Sequence, residues 1–423
     1  MALAAVACSA AATRRPVRTT TTSSGDVAPR PRATSARGAT LRPVRIALAR
    51  GVAQAGLSAD EAWTVYDGDG VTPLAEPGPG ERWMLTAEGG RLTARRDEAA
   101  PLPSRPSAVI ARPRDAGGTM SFNGRRWRGE LWVGVDERGT LLVVNRVPMD
   151  EYLEGVVPLE IGTRAMSDFA AAEAQAVAAR SYAYTHLAGP ERRYDMLATV
   201  SDQVYGGVNA ETPLGTQSVE NTSGLVLMYD GRPVNAPYHG NCGGFTAEPG
   251  DSWRTGGEPY LRRVSDQIPG TDRFYCESGP RFRWTRNYTG EELRQSIVRY
   301  LRTVPRPPET IASVRSVTVT EVTPAGRVAT LAVDTDRGRW TMRGNEIRAA
   351  LRTVSGEMLY STYFSVDAVE GRDGVRSLAL RGGGNGHGIG MCQSGAIGRA
   401  RAGQDFRTIL TTYYPGTTIG TID

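Results

Sequence analysis

Lysine is absent from this chain of 423 residues: all 50 of its basic residues are arginine. That excludes lysine chemistry, a lysine Schiff base included. Histidine is scarce, with three residues, and cysteine almost as scarce, with four, so any imidazole or thiol chemistry must come from a few positions. No stretch approaches the ~20 consecutive apolar residues of a membrane span. The basic excess is also thinner than the net charge of +5 suggests. Residues 1–45 carry eight arginines against the single acid Asp26, a net of +7, which leaves −2 for everything after them. A nearly neutral body with no basic stripe does not read as a nucleic-acid binder.

What is present divides unevenly along the chain. The start, MALAAVACSAAA, is apolar and rich in small residues like the end of a signal peptide, though it lacks a basic leader; Cys8 is then a candidate lipoprotein cysteine. Residues 1–40 read as this signal-like segment followed by a disordered Thr/Ser/Pro/Arg-rich tether, because such a composition cannot bury a core. Short apolar runs such as VRIALA, WTVYD and RWMLTA alternate with Gly/Pro/Asp turns over 41–106, which predicts a small β-rich module. From 107 to 423 a larger domain is expected, with a β-rich insert at about 305–380. Within that insert, residues 313–351 read as strand, turn, strand, turn, strand and short helix. No internal repeat of fixed period is visible, and the fold class read from these patterns is α+β, β-rich.

One helix stands out, an Ala-rich run over about 168–187, with Ser167 or Asp168 as its cap and Gly189-Pro190 beyond its end. Glu173, Arg180 and Tyr184 fall on one side of it, and Gln175 sits among the small residues as a candidate buried hydrogen-bonding group. Just upstream lies Glu160, a single carboxylate among Val156, Val157, Pro158, Leu159 and Ile161. A pocket built from that segment solvates a carboxylate poorly and favours its protonated form, the state a general acid needs at neutral pH. Most glutamates are solvated surface, so residue type alone favours a capping or ion-pairing role.

Two Gly-rich segments follow, Tyr238–Trp253 (YHGNCGGFTAEPGDSW) and Gly382–Ala396 (GGGNGHGIGMCQSGA). Glycine at that density lets backbone approach a ligand closely, which makes the pair a candidate cleft beside the Ala-rich helix. Each segment pairs one histidine with one cysteine, His239 with Cys242 and His387 with Cys392. His387, flanked by glycines with little to pack against, is expected in a cleft instead of the core, and His186 near the helix end is expected on the last carbonyls. Cys242 and Cys276 flank the PYLRRVSD stretch. If they meet in space they form either a disulfide or, with His239, a zinc site, and the spacing does not decide between these.

VPLEIG, AEAQAVAARSYAY, YHGNCGGFT, PYLRRVSD, GHGIGMCQSGA and ILTTYYPGT, in that order, resemble the SpoIID/LytB family of peptidoglycan-active proteins from about Val147 to Thr417. The resemblance implies an exported or cell-wall-associated lytic transglycosylase that cuts glycan strands stripped of their stem peptides, with Glu160 as the catalytic acid. It implies a substrate cleft to which Arg180, Gln175, Tyr184, His239, His387 and Gln393 are assigned. No cofactor is required by that chemistry, although zinc is found in some members. The alternative it carries is a non-catalytic protein that stimulates a cell-wall amidase. The chain departs from the family pattern at Asp168, Ala170 and Glu173, which replace Pro, Glu and Lys, and at Asn385-Gly386, where an aromatic often stands. A retaining or inverting hydrolase needs two carboxyl groups at the scissile bond, and only one motif-embedded acid is visible.

Overall fold

The computed structural model describes residues 42–96, 101–102, 106–253, 255–308 and 310–422. The signal-like segment, Cys8 and the tether lie outside the described residues. Among those described, no helix is long and apolar enough to cross a membrane.

The boundary expected at 106 falls inside two shared sheets. One, of seven strands, runs in the order Met196–Leu197, Val44–Val52, Leu141–Val147, Glu130–Val135, Ala108–Pro113, Trp63–Asp67, Pro73–Ala75. The other, of five, runs Arg91–Arg96, Trp83–Glu88, Gln54–Ala59, Met120–Phe122, Arg125–Trp127. Strands from both sides of residue 106 are hydrogen-bonded neighbours in each, so residues 44–147 build one β unit. The reason lies in the strand faces. Along Glu130–Val135 and its neighbours, Leu131, Val133, Val109, Ala111 and Val143 enter the main core, while Trp132, Ile110, Leu142 and Val144 pack on the opposite face. Strands that are apolar on both faces need cover on both, and the upstream strands help provide it.

The sheet delivers the chain into three helices: α1 (Met149–Glu154), α2 (Val157–Ile161) and α3 (Phe169–Thr185). The expected Ala-rich helix is α3, to within two residues at each end. Between Ala171 and Ala183 only Glu173 and Tyr182 are partly exposed and the rest is buried, because the helix is packed against α4 (Pro213–Asn221), the strand Leu225–Tyr229 and the helices Gln393–Arg401 and Phe406–Tyr413. Alanine on every side lets so many elements approach one axis, and the helix has no broad polar face of the kind a surface helix shows. The Asp168 carboxylate does not cap it. Both its oxygens take the Arg401 guanidinium, at 2.7 and 3.0 Å.

A second core draws on Trp284 to Leu380, so it starts upstream of the insert expected at 305. Val314–Val322, Val328–Thr335, Gly338–Arg343 and the short helix Glu346–Ala350 follow the predicted order. The helix Gly290–Leu301, held by a Thr289/Glu292 capping box, packs its Leu293, Ile297 and Leu301 into this core. The chain then returns through Gly382–Gly390, where Asn385 and Asn241 exchange backbone hydrogen bonds at 2.7 and 3.0 Å. Tyr238–His239 pairs in parallel with Met391–Cys392, which lays the two Gly-rich segments side by side.

Candidate active site

Glu160 sits on the last turn of α2, partly exposed. Its Oε1 accepts the backbone N–H of Val204 at 2.6 Å, and the Gln393 amide donates to the same carboxylate. Burial pushes its pKa up from 4.5 to about 7, against the two donors that lower it. No second acid contributes to that shift. The apolar turn thus has the electrostatic effect expected of it, and the two hydrogen bonds fix the carboxyl in place.

Behind Glu160 the supports are polar and buried. Gln393 Nε2 donates to Gln175 Oε1 at 3.2 Å, which makes Gln175, on α3, the buried hydrogen-bonding group predicted for it. Tyr152 donates to Gln203 Oε1 at 3.0 Å, and Gln203 Nε2 donates to Tyr238 Oη at 3.0 Å and to the Ala179 carbonyl at 3.2 Å. Tyr182 donates to Asp202 at 3.3 Å and stacks on His186, whose Nδ1 donates to the Tyr182 carbonyl as expected at a helix end. Burial raises the phenol pKa values of Tyr152, Tyr182 and Tyr238, and the Glu160 charge adds to each. Three phenols that stay neutral therefore surround one carboxyl poised near neutrality.

The other expected cleft residues are placed differently. Arg180 is 1% exposed. Its guanidinium donates to Asp150 at 3.1 and 2.8 Å and to the carbonyls of Leu225 (3.2 Å) and Val219 (3.3 Å), so it clamps α1, α4 and a strand onto α3. Tyr184 lies two residues from Tyr182, hence on the other side of the helix, and it is Tyr182 that faces the acid. His387 is held in its Nε2–H form, donating to the Tyr238 carbonyl at 2.9 Å and accepting from Ile389 N–H at 3.1 Å. Both ring nitrogens are spent on backbone, and burial pushes its pKa down to about 3. The ring itself stays partly exposed, between the His239 and Trp253 rings. His239 donates from Nδ1 to the Ile389 carbonyl at 3.1 Å, and its buried Nε2 has no partner.

The cysteines do converge, in a group other than the expected one. Cys242, Cys276 and Cys392 are free thiols, with the Cys242 and Cys276 sulfurs 3.5 Å apart, so of the two alternatives left open for this pair the disulfide is not formed. The fourth member is Asp266, not His239. One sulfur or oxygen from each of the four residues lies within 4.8 Å of all the others, and all four residues are buried. Among the residues of the two clusters, Val204, Gln203, Tyr182, Tyr152 and Asp266 were not singled out from sequence. The DQVYGG run, placed between two loops and rich in hydrogen-bonding groups, was the available signal for the first two.

The family model described as Stage II sporulation protein matches residues 137–229. A second model, a domain of unknown function (DUF8618), matches 258–390. The chain is 27% identical over 296 residues to stage II sporulation protein D of Bacillus subtilis (strain 168), covering 66% of this chain and 76% of the relative. It is 30% identical over 294 residues to the amidase enhancer of the same organism, covering 63% of this chain and 40% of the relative. An uncharacterized protein of Brachyspira hyodysenteriae is 28% identical over 307 residues, 71% of this chain and 74% of the relative. The chain belongs to the SpoIID/LytB family. Within a SpoIID/LytB protein, then, the first model covers Glu160, Gln175, Tyr182 and Val204, and the second covers Asp266, Cys276 and His387. Cys242 falls between them, and Cys392 and Gln393 fall just beyond.

Proposed function

We propose that this protein is a lytic transglycosylase of the cell wall that cleaves denuded peptidoglycan strands outside the cytoplasm, with Glu160 as both acid and base. The observation that carries the reading is the Glu160 carboxyl itself, raised to about 7 by burial alone, partly exposed, and oriented by Val204 N–H and the Gln393 amide. A carboxyl with that pKa is roughly half protonated at neutral pH, the poise general acid–base catalysis favours. In the first step Glu160 donates its proton to the glycosidic oxygen as the bond to muramic C1 breaks. In the second, the carboxylate accepts the proton of the muramic C6 hydroxyl as that oxygen bonds to C1. The proton balance closes on one residue, water is not consumed, and the product carries a 1,6-anhydro end. Both steps draw on Glu160 alone, and burial, with no second carboxylate, accounts for its raised pKa.

The similarity to an amidase enhancer supports a second reading, a wall-bound protein that stimulates a partner amidase. Product analysis separates the two. Denuded strands incubated with the purified chain should yield 1,6-anhydromuramic ends, read by mass spectrometry, and strands still bearing stem peptides should be cut poorly. New reducing ends without anhydro product would overturn the mechanism. No new ends, together with peptide release that rises only when an amidase is added, would establish the second reading instead.

A further inference from the structure

A cleft of about 760 Å³ opens on the second core where the chain enters its second Gly-rich segment, and neither proton transfer uses it. The sheet beneath decides what faces it. Trp284, Gly382 and Phe364 stand opposite one another across three strands, and in the next row so do Thr285, Arg381 and Ser365. Side chains alternate between the two faces along a strand. Trp284 and Phe364 are buried in the core, whereas Thr285, Arg381 and Ser365 are exposed and line the cleft. Gly382 makes room for this on the core face, since a Cβ there would stand 2.4 Å from the Trp284 ring.

Tyr363 and Arg283 complete the lining. A side chain at Gly243, Gly326 or Gly383 would bring its Cβ to 3.2 Å of the Tyr363 ring, and one at Gly383 would also come within 3.0 Å of Arg283 Nη1. Glycine backbone thus lets the ring and the guanidinium sit side by side. Arg283 donates to the carbonyls of Gly243 (3.0 Å) and Phe282 (2.8 Å), and among the described residues it meets no carboxylate. Arg381 reaches Asp367 at 3.8 Å with both side chains largely exposed, a contact worth little. Neighbouring Arg281 and Arg286 differ, since both are paired with Glu357, at 3.3 and 3.1 Å. Among the described residues the lining therefore holds two guanidiniums, the hydroxyls of Thr285 and Ser365, the Tyr363 phenol and no acid, in a body whose charge after residue 45 is −2.

That donor set fits an anion carried on a sugar. Guanidinium forks match carboxylates, and an aromatic ring beside them offers surface to the apolar face of a pyranose. Muramic acid carries its stem peptide as an amide on the lactyl carboxyl. Once the peptide is removed that carboxyl is free and charged, so every denuded disaccharide presents one anion that an intact one holds as a neutral amide. Tyr238, whose phenol feels the Glu160 charge, and Gly243, against the Tyr363 ring, are five residues apart, at most ~18 Å along the chain. A strand of a few sugars reaches from the acid to the cleft. We propose that this cleft is an accessory subsite for the free lactyl carboxylate of denuded glycan, with Arg283 and Arg381 as its cationic groups and Tyr363 as its sugar platform. The ligand class rests on the glycan reading above, but the binding does not require that Glu160 cleave.

Isothermal titration on the full chain carrying Glu160→Gln, which keeps the strands intact, reads the subsite without turnover. Denuded strands should bind this parent at least about tenfold more tightly than the same strands with their lactyl carboxyls coupled to methylamine, the scale of one charge-assisted hydrogen bond. Arg283→Gln and Arg381→Gln together should bring both preparations to the weaker level. Equal affinity of the parent for the two preparations, or binding of neither, would overturn the proposal, and so would an undiminished preference in the folded double variant. The first comparison alters only the ligand, so it decides even where the double variant fails to fold. Failure of the cleavage chemistry reads differently. Wild type that forms no anhydro ends, while the parent still prefers the free carboxylate, would strike the transglycosylase reading and support the subsite.

Discussion

At the scale of single residues, the raised pKa of Glu160 is also a statement about stability. The folded value of about 7 lies above the ordinary 4.5, so the folded protein binds this proton more tightly than the unfolded chain does. The contribution is complete below about pH 4.5 and is lost as pH rises through 7, by about 3 kcal/mol in all at 1.36 kcal/mol per unit. Glu160→Gln has no proton to lose. It should match wild type within about 1 kcal/mol near pH 5 and exceed it by about 2–3 kcal/mol near pH 8 in urea unfolding. Gln393 tests the same carboxyl from outside. Its amide lowers the Glu160 pKa, so Gln393→Leu should move the alkaline limb of the cleavage profile upward from about 7. A limb that stays in place would mean that the amide does not reach the acid in solution.

Among elements, α3 shows how far a sequence reading carries. Its length, its alanine content and its end at His186 were all legible, because caps and breakers act locally. Gln175 was legible as a buried polar group for the same reason, since only small residues surround it. Which face carried chemistry was not. Glu173, Arg180 and Tyr184 form the more polar row, yet the row that meets Glu160 runs through Gln175 and Tyr182. Nothing within the helix reports that Asp150 and two carbonyls wait for Arg180. That clamp makes its own prediction. Arg180→Met takes a donor from the Leu225 carbonyl, while the Val219 carbonyl keeps the Thr222 N–H at 3.2 Å, and should cost about 1–3 kcal/mol by thermal or urea unfolding, the scale of one buried group left unpaired. The pH optimum of glycan cleavage should not move. A shifted optimum with unchanged stability would return Arg180 to the cleft.

Over the whole molecule, two cores divide the work. The strands from 44 to 147, the helices around α3 and the C-terminal helices share the first, while residues 284–380 build the second. The β-rich α+β character followed from strand patterns alone. The boundary at 106 did not, because a strand apolar on both faces shows that it needs partners and not which ones. Convergence of the cysteines was legible only in part. Cys242 and Cys276 were paired correctly in space, but Asp266 sits in an ordinary PYLRRVSD run whose aspartate has no local mark, and His239 was the more conspicuous candidate. The family motifs supplied what local physics could not, namely that segments more than two hundred residues apart belong to one site.

The central claim is that one carboxyl, Glu160, performs the cleavage, and the most direct measurement compares wild type with Glu160→Gln on denuded glycan strands near pH 6, counting 1,6-anhydromuramic ends by mass spectrometry. Loss of the general acid should slow their appearance by about 10²–10⁴-fold while the variant unfolds at or above the wild-type denaturant midpoint. Anhydro ends formed within about twofold of the wild-type rate, far below a general-acid contribution, would contradict the account.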